Sequence, residues 1–482
     1  MFEPSVSLDQ RFDDNYRLDP FDPDEVSTTR AVGELGLSRE SQTASVKGLL
    51  RADVLLTQAG DEDGGNDLDS NQVAAVETRF GTRLTRYGVD LGFKQDTPSR
   101  DIAGDLAVGD SVAIDTSAID QENDVARRRF TISPNVVHEL GRRTSVEGRL
   151  TYTNVQHDLP DADDAIYEQY LRLLNNPNLP PERLAELTDD DGGPLGRDAV
   201  TIDTVGVFTP TGELDDFDEV KLEAGVRYKL SPITTLSGFV TTSRYSAEVE
   251  PDPRAFIPFE DQVPDDEERQ IVRFPRRESI STTSSLRIGY DRALSPTLAI
   301  GLQAGLYLNT TDDNDTLRSG DRPPDDFGPD AQQRFDDALG TLETEEDGWL
   351  ASVTLRKDAG LTRYVGRFAV DVQPSSVGSQ VETQELTGEV FRRLSPLLDV
   401  SFRARAYEPD RLGANPDDEF ARRFASFEPR VTWRFSREWT AGAAYRYRRQ
   451  KSRAATESAE SNALLFSIRW TPPSRVRDLE GG

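Results

Sequence analysis

The sequence predicts an all-β fold, a transmembrane antiparallel β-barrel of about eighteen strands, and three observations predict it. Segments of about ten residues alternate strictly between apolar and polar side chains, which is typical of strands with one face toward lipid and the other toward water. The connections between these segments are alternately short and long. The 22 Phe, 13 Tyr and 4 Trp are too many aromatic residues for a disordered acidic chain, although only 35% of the 482 residues are hydrophobic.

The alternation is clearest between Glu219 and Leu230. Every even-numbered position there is apolar or tyrosine, and every odd-numbered position is charged or glycine. A helix could not separate these two sets, because its side chains repeat every 3.6 residues. Segments at about 298–309, 364–373 and 427–435 alternate in the same way. In the second of these, Val370 and Val372 are predicted to face outward with Tyr364 and Phe368.

Short polar segments predict the tight turns between the strands. The clearest are three Leu-Ser-Pro sequences at 230–233, 294–297 and 394–397, where proline presets the turn and needs no ladder donor. Their uneven spacing argues against a β-helix or propeller, which would show a repeat of fixed length. Further tight turns are predicted near 39–42, 85–88, 141–144, 358–361 and 436–438.

The remaining connections are long and acidic, and they are predicted to lie on the opposite rim. They span about 18–25, 58–70, 98–126, 158–217, 248–278, 311–347, 374–380, 408–422 and 451–460. Short turns on one rim and long loops on the other predict a periplasmic and an extracellular side. The barrel is expected over 1–471, with strands from about 2–17 to about 461–470 and a periplasmic tail at 472–482. Short helices are expected in the long loops 158–217 and 311–347, as at 165–174 and 181–187.

Composition excludes several functions. A formal net charge of -31 argues against binding nucleic acid, which needs a basic surface. The chain has no cysteine and only two histidines, His138 and His157, so thiol chemistry and a histidine-rich metal centre are not expected. No Gly-x-Ser-x-Gly sequence is present. We therefore predict that the protein is not an enzyme and holds no cofactor.

Acidic clusters in the predicted loops are possible calcium sites, because oxygen-rich loops can supply the six to eight ligands that calcium takes. These clusters are Asp61–Asp63, Asp158–Asp164, Asp189–Asp191, Asp265–Glu268 and Asp312–Asp315. None has the spacing of a twelve-residue calcium loop, and solvated loops are the favoured interpretation.

No run of 18 apolar residues exists and no signal peptide precedes Phe2. We treat the signal as missing from this sequence and expect an outer-membrane location.

The final predicted strand, 463–470, ends on an aromatic residue and places Phe466, Ile468 and Trp470 on one face. It looks like the C-terminal signal by which the barrel-assembly machinery recognises its clients, although the tail extends past it. Together with Arg393–Pro396 and the alternation after it, the C-terminal half resembles the family of outer-membrane β-barrel porins. It is most similar to the barrels associated with exopolysaccharide and PEP-CTERM/exosortase gene clusters. The resemblance implies a channel or secretion-associated barrel without catalytic residues.

Arginines dominate the predicted inner face. If the outward faces are assigned as above, the inward arginines are Arg149, Arg227, Arg287, Arg356, Arg367, Arg403, Arg405, Arg430, Arg434, Arg446, Arg448 and Arg469. One interpretation is a pore lining that favours anionic solutes. The other is that the arginines pair with carboxylates on neighbouring strands and stiffen the wall. The expected partners for such pairing are Glu147, Glu219, Glu223, Asp291, Glu389, Asp399 and Glu428.

Aromatic residues near strand ends are predicted to anchor the barrel at the two headgroup levels. They are Tyr87, Tyr152, Tyr228, Tyr245, Tyr290, Trp349, Tyr407, Phe435, Trp439, Tyr447 and Trp470.

The function expected from the pattern is an outer-membrane channel for hydrophilic, anionic solutes, with exopolysaccharide as the solute that the resemblance suggests. The alternative is a plugged structural barrel that displays its loops or docks a partner. Expected partners are membrane lipid and lipopolysaccharide, the assembly machinery, periplasmic export proteins and further copies in a homotrimer.

Overall fold

The structure is a computed structural model that describes residues 2–15, 25–59, 66–96, 126–158, 216–249, 277–315, 342–374, 380–411, 422–452 and 458–472. These residues form eighteen strands in one antiparallel sheet. Each strand pairs with its neighbours in sequence, and β1 pairs with β18, so the sheet closes into a barrel. The predicted fold class is confirmed. Within the described residues, no helix is long and apolar enough to cross a membrane.

The strands are β1 Phe2–Asp13, β2 Val26–Glu40, β3 Ala44–Ala59, β4 Asn66–Gly81, β5 Thr85–Asp96, β6 Ala126–Glu139, β7 Thr144–Asp158, β8 Phe217–Ser231, β9 Thr234–Val249, β10 Arg277–Ser295, β11 Leu298–Asp315, β12 Leu342–Ala359, β13 Thr362–Pro374, β14 Gln380–Ser395, β15 Leu398–Arg411, β16 Arg422–Trp433, β17 Trp439–Ser452 and β18 Ala459–Trp470. The start of β1, the end of β18 and the turns of two to five residues share one rim, here the short-turn rim. The other connections, of five residues or more, leave the opposite rim. The predicted loop helices at 165–174 and 181–187 and the tail after residue 472 lie outside the described residues.

The three Leu-Ser-Pro sequences form the same turn. In each, the serine hydroxyl accepts a hydrogen bond from the backbone N–H two residues later, at 3.3 Å for Ser231, 3.2 Å for Ser295 and 3.2 Å for Ser395. Each turn also shifts the strand register at the serine. One local sequence therefore encodes one local geometry, because proline fixes the backbone and serine satisfies the free donor.

One predicted turn was wrong. The β4–β5 connection is at 82–84 and not at 85–88. Gly81 has a φ of 142°, and the Thr82 hydroxyl accepts hydrogen bonds from the N–H groups of Leu84 and Thr85. Gly88 is a glycine for a different reason, because a Cβ there would lie 2.7 Å from a side-chain atom of Arg79. In addition, β11 continues to Asp315, so the predicted loop 311–347 is shorter than expected.

The outer surface of the barrel is apolar. On β11, Leu302, Leu306 and Leu308 are 39%, 68% and 43% exposed and point outward, whereas Tyr307 and Asn309 point inward and are buried. The residues of the predicted assembly signal, Phe466, Ile468 and Trp470, also point outward. An apolar outer face and a polar inner face are what a barrel in lipid requires.

Aromatic rings gather at the short-turn rim. Trp433, Phe435, Trp439 and Trp470 form a chain of ring contacts, with successive centroids 5.4, 6.4 and 6.5 Å apart. Phe435, Trp439 and Trp470 are among the predicted interfacial anchors. Amphipathic rings at one level suit the boundary between lipid tails and headgroups.

Two of the predicted anchors do not face lipid. Tyr245 is fully buried on the inner face, where its ring lies 5.1 Å from that of Phe217. Tyr407 is 8% exposed, and its ring stacks on Phe424 inside the barrel. Both tyrosines stand at odd-numbered positions, like the inward polar residues of their strands. Whether a tyrosine contacts lipid is therefore decided by the face of the strand it occupies and not by its closeness to the strand end.

The N-terminal strand closes the barrel. β1 pairs with β18 over eight residue pairs, from Val6–Trp470 to Asp13–Ala463. At the long-connection end, the Asp13 carboxylate accepts hydrogen bonds from the Ser461 hydroxyl at 2.6 Å and from Arg448 Nη2 at 2.8 Å. Asp14 accepts one from Asn462 Nδ2 at 2.8 Å. Asp13 and Asp14 at the end of β1 therefore hold it to β18 and its neighbour β17.

The orientation of β11 makes a testable prediction. We expect Leu302→Arg to destabilise the barrel by about 2–4 kcal/mol, because it places a charge on the apolar outer face. Gln303→Arg on the inner face of the same strand is the matched control and should cost far less, because that side is polar. The measurement is the free energy of unfolding in urea from lipid vesicles. Equal losses for the two variants would contradict the assignment of faces.

Candidate functional site

In the strands that carry the eleven predicted pore-lining arginines, each arginine alternates with outward apolar residues and so belongs to the inner face of the sheet. Eight of the eleven lie within ion-pair distance of a carboxylate. The pairs are Arg227–Glu147 at 2.8 Å, Arg287–Asp371 at 2.7 Å, Arg356–Asp358 at 3.6 Å, Arg405–Glu385 at 2.7 Å, Arg430–Glu428 at 2.5 Å, Arg446–Glu428 at 2.8 Å, Arg448–Asp13 at 2.8 Å and Arg434–Asp399. Arg469 also faces inward, near Asp9. Most of these cations are thus neutralised locally.

The partners differ in part from those expected. Glu147, Asp399 and Glu428 do pair with arginines. Glu219, Glu223, Asp291 and Glu389 form no ion pair within the described residues. For example, Arg149 and Glu223 stand directly opposite in register without coming within 4 Å of each other. Long side chains choose among several neighbours, so register alone does not assign the pairs.

Three of the eleven arginines, Arg149, Arg367 and Arg403, have no carboxylate within ion-pair distance in the described part of the chain. Each stands five residues in from the first residue of its strand at the short-turn rim, Thr144, Thr362 and Leu398 respectively. At about 3.3 Å per residue and a tilt near 40°, this places all three about 12 Å above that rim. They form one layer, here the arginine layer, on strands β7, β13 and β15.

A second group of inner-wall arginines was missed from the sequence. Arg30 is fully buried, and its Nε lies 2.9 Å from Asp53 Oδ2 on the neighbouring strand. Arg127 is 2% exposed, and its Nε lies 3.1 Å from Asp96 Oδ1. The two-residue alternation could have placed both on the inner face. Their burial makes them structural pairs.

Beyond Val370, the β13–β14 hairpin no longer pairs with β12, although β14 stays paired with β15 to Val381. Its end reaches toward β10 and β11. Asp371 receives a hydrogen bond from Arg287 Nη2 at 2.7 Å. The Tyr307 hydroxyl donates to Glu382 Oε2 at 2.9 Å, and the Thr283 hydroxyl donates to Gln380. β10 and β13 are separated by two strands in the sheet, so these bonds require the hairpin end to fold inward. We call residues 371–374 and 380–382 the inward hairpin.

Burial shows the same bend. Consecutive residues that should face opposite sides of the sheet are both buried, as for Ala369 and Val370 at 4% and 2% exposure and for Gln380 and Val381 at 3% each. The prediction that Val370 and Val372 face lipid was therefore wrong. Val370 is buried, and Val372 lines a cleft inside the barrel. The inward hairpin therefore lies inside the barrel at this level.

The cleft lies between the inward hairpin and the wall formed by β8 to β12. Its wall side is rich in hydroxyl groups, with Thr241, Ser243, Thr283 and Ser285 on β9 and β10. Glu219 and Lys221 on β8 and Arg287 on β10 add charge, and Val372 and Gln380 come from the hairpin. Sequence alternation predicted an inward position for Glu219, Lys221 and Arg287, but nothing in the sequence indicated the cleft.

The two histidines contact different neighbours. His138 Nδ1 lies 2.8 Å from the Thr85 hydroxyl near the short-turn rim. His157 is buried, and its Nδ1 lies 3.6 Å from Asp216 Oδ1. Burial raises the pKa of the Asp216 carboxyl, but hydrogen bonding to His157 outweighs it and holds that pKa below its ordinary value. No group of three or more potential metal ligands occurs among the residues that the structure describes.

Comparisons with known proteins give likeness of shape only. No family model matches the chain, and no curated protein matches it. Similar solved structures include the outer membrane protein OpdK of Pseudomonas aeruginosa, at 10% identity, 98% coverage of this chain, 99% of that chain and a TM-score of 0.39. OccAB4 of Acinetobacter baumannii gives 7%, 98%, 98% and 0.41. The ferric-catecholate import receptor Fiu of E. coli K12 gives 10%, 97%, 81% and 0.41.

Proposed function

We propose that this protein is an outer-membrane channel through which small hydrophilic anions pass. The observation that carries the proposal is the arginine layer: Arg149, Arg367 and Arg403 face the interior at one height without a paired carboxylate in the described residues. Eight paired arginines cancel much of their own field, whereas an unpaired guanidinium attracts an anion directly. Three separate cations attract an anion at several weak sites and not at one strong site, so the anion can both enter and leave the channel.

The outer surface supports the membrane location. Apolar side chains cover the outer face of the strands, and Trp433, Phe435, Trp439 and Trp470 line the short-turn rim. In a bacterial outer membrane, the short turns would lie in the periplasm and the long connections outside. This orientation would place the arginine layer near the middle of an apolar band about 25 Å tall.

The inward hairpin favours small solutes over a polymer. A barrel of eighteen strands leaves an aqueous bore unless something inside it narrows the path. Here the inward hairpin is tied to the wall by Arg287, Thr283 and Tyr307. The export of an exopolysaccharide strand is carried only by the resemblance of the sequence and remains a prediction.

A second candidate function is the plugged structural barrel. The observation that favours it is the burial of charged inner-wall side chains, such as Arg30 at 0% and Arg127 at 2% exposure. Such burial means that part of the inner wall does not meet open water. The two candidates differ in one measurable property, because only the channel conducts ions across a bilayer.

The test is single-channel recording of the purified barrel in planar bilayers under a salt gradient. We expect stable anion-selective openings, and the triple variant Arg149→Ser, Arg367→Ser, Arg403→Ser should move the reversal potential toward cation selectivity. The matched control is Arg405→Gln with Glu385→Gln, which removes one paired cation and its anion and should leave selectivity nearly unchanged. Silence at every voltage would favour the plugged barrel. Unchanged selectivity in the triple variant would reject the arginine layer.

A further inference from the structure

We propose that the cleft beneath the inward hairpin binds inorganic phosphate. The inference rests on the proposed function, since it names a solute for the anion channel. The cleft combines two features that an oxyanion site needs: hydrogen-bond donors that the protein leaves unused, and a cation without a carboxylate within ion-pair distance. Each feature comes from a different set of side chains.

The unused donors are hydroxyl groups on β9 and β10. Thr241, Ser285 and Ser243 are 6%, 8% and 9% exposed, and all three line the cleft. Their hydroxyls have no hydrogen-bond partner among the described residues. These three hydroxyls are not among the fully buried polar atoms without a partner, so they are open to the cleft and can donate to a ligand oxygen there. Thr241 and Ser285 stand directly opposite in register, with Cβ atoms about 5 Å apart, a span that one oxyanion bridges with two hydrogen bonds of about 2.8 Å.

The cationic groups are Lys221 and Arg287. Lys221 stands opposite Ser243 in register, lines the cleft and has no carboxylate within ion-pair distance in the described part of the chain. Arg287 uses Nη2 to bind Asp371, but its Nε is buried without a hydrogen-bond partner. The cleft thus offers an ammonium, a guanidinium N–H and three hydroxyls. This excess of donors favours an anion with several acceptor oxygens.

Glu219 distinguishes one oxyanion from another. It is the one carboxylate among the described residues that line the cleft, two positions from Lys221 on the same face of β8. An ionised carboxylate only accepts hydrogen bonds. Phosphate keeps at least one proton near neutral pH and can donate it to Glu219, whereas sulfate keeps none and would meet a repelling charge. The cleft should therefore prefer phosphate to sulfate.

The test measures binding without relying on conduction. Inorganic phosphate and sulfate are titrated separately into the full-length barrel in detergent micelles, and heat release is recorded by calorimetry. We expect phosphate to bind and sulfate to bind at least about tenfold more weakly. Lys221→Gln should weaken phosphate binding about tenfold or more, because a charge-assisted hydrogen bond is lost. Thr241→Val with Ser285→Ala should weaken it as well, and Glu219→Gln should let sulfate bind nearly as well as phosphate.

The matched control is Lys229→Gln, which removes the same charge from the same face of β8 nearer the short-turn rim and should leave phosphate binding unchanged. A difference in electrophoretic mobility between heated and unheated samples of each variant verifies that the barrel is folded. The absence of phosphate binding, equal binding of sulfate by the wild type, or equal losses for Lys221→Gln and Lys229→Gln would each overturn the proposal. A barrel that binds phosphate in this way but conducts no ions would instead overturn the channel and leave the binding site standing.

Discussion

Replacement of Asp53 by Asn is expected to cost about 3–5 kcal/mol of folding free energy, the range found when one member of a buried ion pair is removed. Arg30 is fully buried, and Asp53 is 2% exposed. The Asp53 carboxylate binds Arg30 on one side and lies 3.1 Å from Arg51 Nε on the other. Its neutralisation leaves Arg30 and Arg51 with a neutral amide and only the Asp9 carboxylate, which lies beyond ion-pair distance, and the fully buried Arg30 cannot turn to water.

The effect should depend on burial and not on the presence of an ion pair as such. Glu77→Gln is the matched control, because it removes a carboxylate from the next strand on the same inner wall, 3.3 Å from Arg79, where both side chains are 35–43% exposed. An exposed pair of this kind contributes at most about 1 kcal/mol. Unfolding in urea from lipid vesicles would measure both variants. A similar loss in the two would contradict the structural role assigned to Arg30 and Asp53.

A rescue experiment separates charge from packing. Arg30→Met combined with Asp53→Leu removes both charges and replaces them with apolar side chains. Replacement of a whole buried ion pair in this way is often neutral or stabilising. We expect the double variant to be clearly more stable than Asp53→Asn alone. If it is equally unstable, the shape of this part of the wall matters more than its charge balance.

Shortening of the inward hairpin is expected to raise single-channel conductance roughly twofold or more, because the bore of an eighteen-stranded barrel is wide wherever nothing crosses it. The variant joins Val370 to Thr383 through an Asn-Gly turn, which suits a two-residue hairpin connection. It removes Asp371, Gln380 and Glu382, and with them all three ties to the wall strands β10 and β11.

The control for this variant is Tyr307→Phe, which removes only the hydrogen bond to Glu382 and keeps the hairpin in place. One hydrogen bond contributes about 1 kcal/mol, so the conductance of this variant should stay close to that of the wild type. Recording in planar bilayers gives the conductance of both. An unchanged conductance in the shortened variant would show that the inward hairpin does not limit the path through the barrel.

Much of the fold could be predicted from the sequence because a strand in a barrel wall has only two sides. Apolar residues at every second position, as from Val220 to Leu230, must face lipid if the odd positions face water. The Leu-Ser-Pro turns fix where strands reverse, since the proline and serine act within four residues. These local rules determined the strand number and the direction of the chain at each rim.

The sequence could not divide the predicted pore-lining arginines into paired and unpaired. Arg227 reaches Glu147, 80 residues away in the chain, whereas Arg149 does not pair with the Glu223 opposite it. Two strands bring several charged side chains within reach of each long arginine, and small differences in side-chain direction decide which pair forms. The arginine layer therefore appears only when all the strands are in place.

The inward hairpin was decided by tertiary structure alone. Val370 and Val372 continue the same alternation as Tyr364 and Phe368. This alternation is the same for a strand that stays in the wall and for one that bends into the lumen. The bend is set by contacts with strands that lie far away in sequence, such as Asp371 with Arg287. The sequence by itself determined the barrel and its two faces, because these follow from local periodicity. The inward hairpin, the cleft and the buried ion pairs followed only from contacts between distant strands, because local periodicity carries no information about which side chains meet inside the barrel.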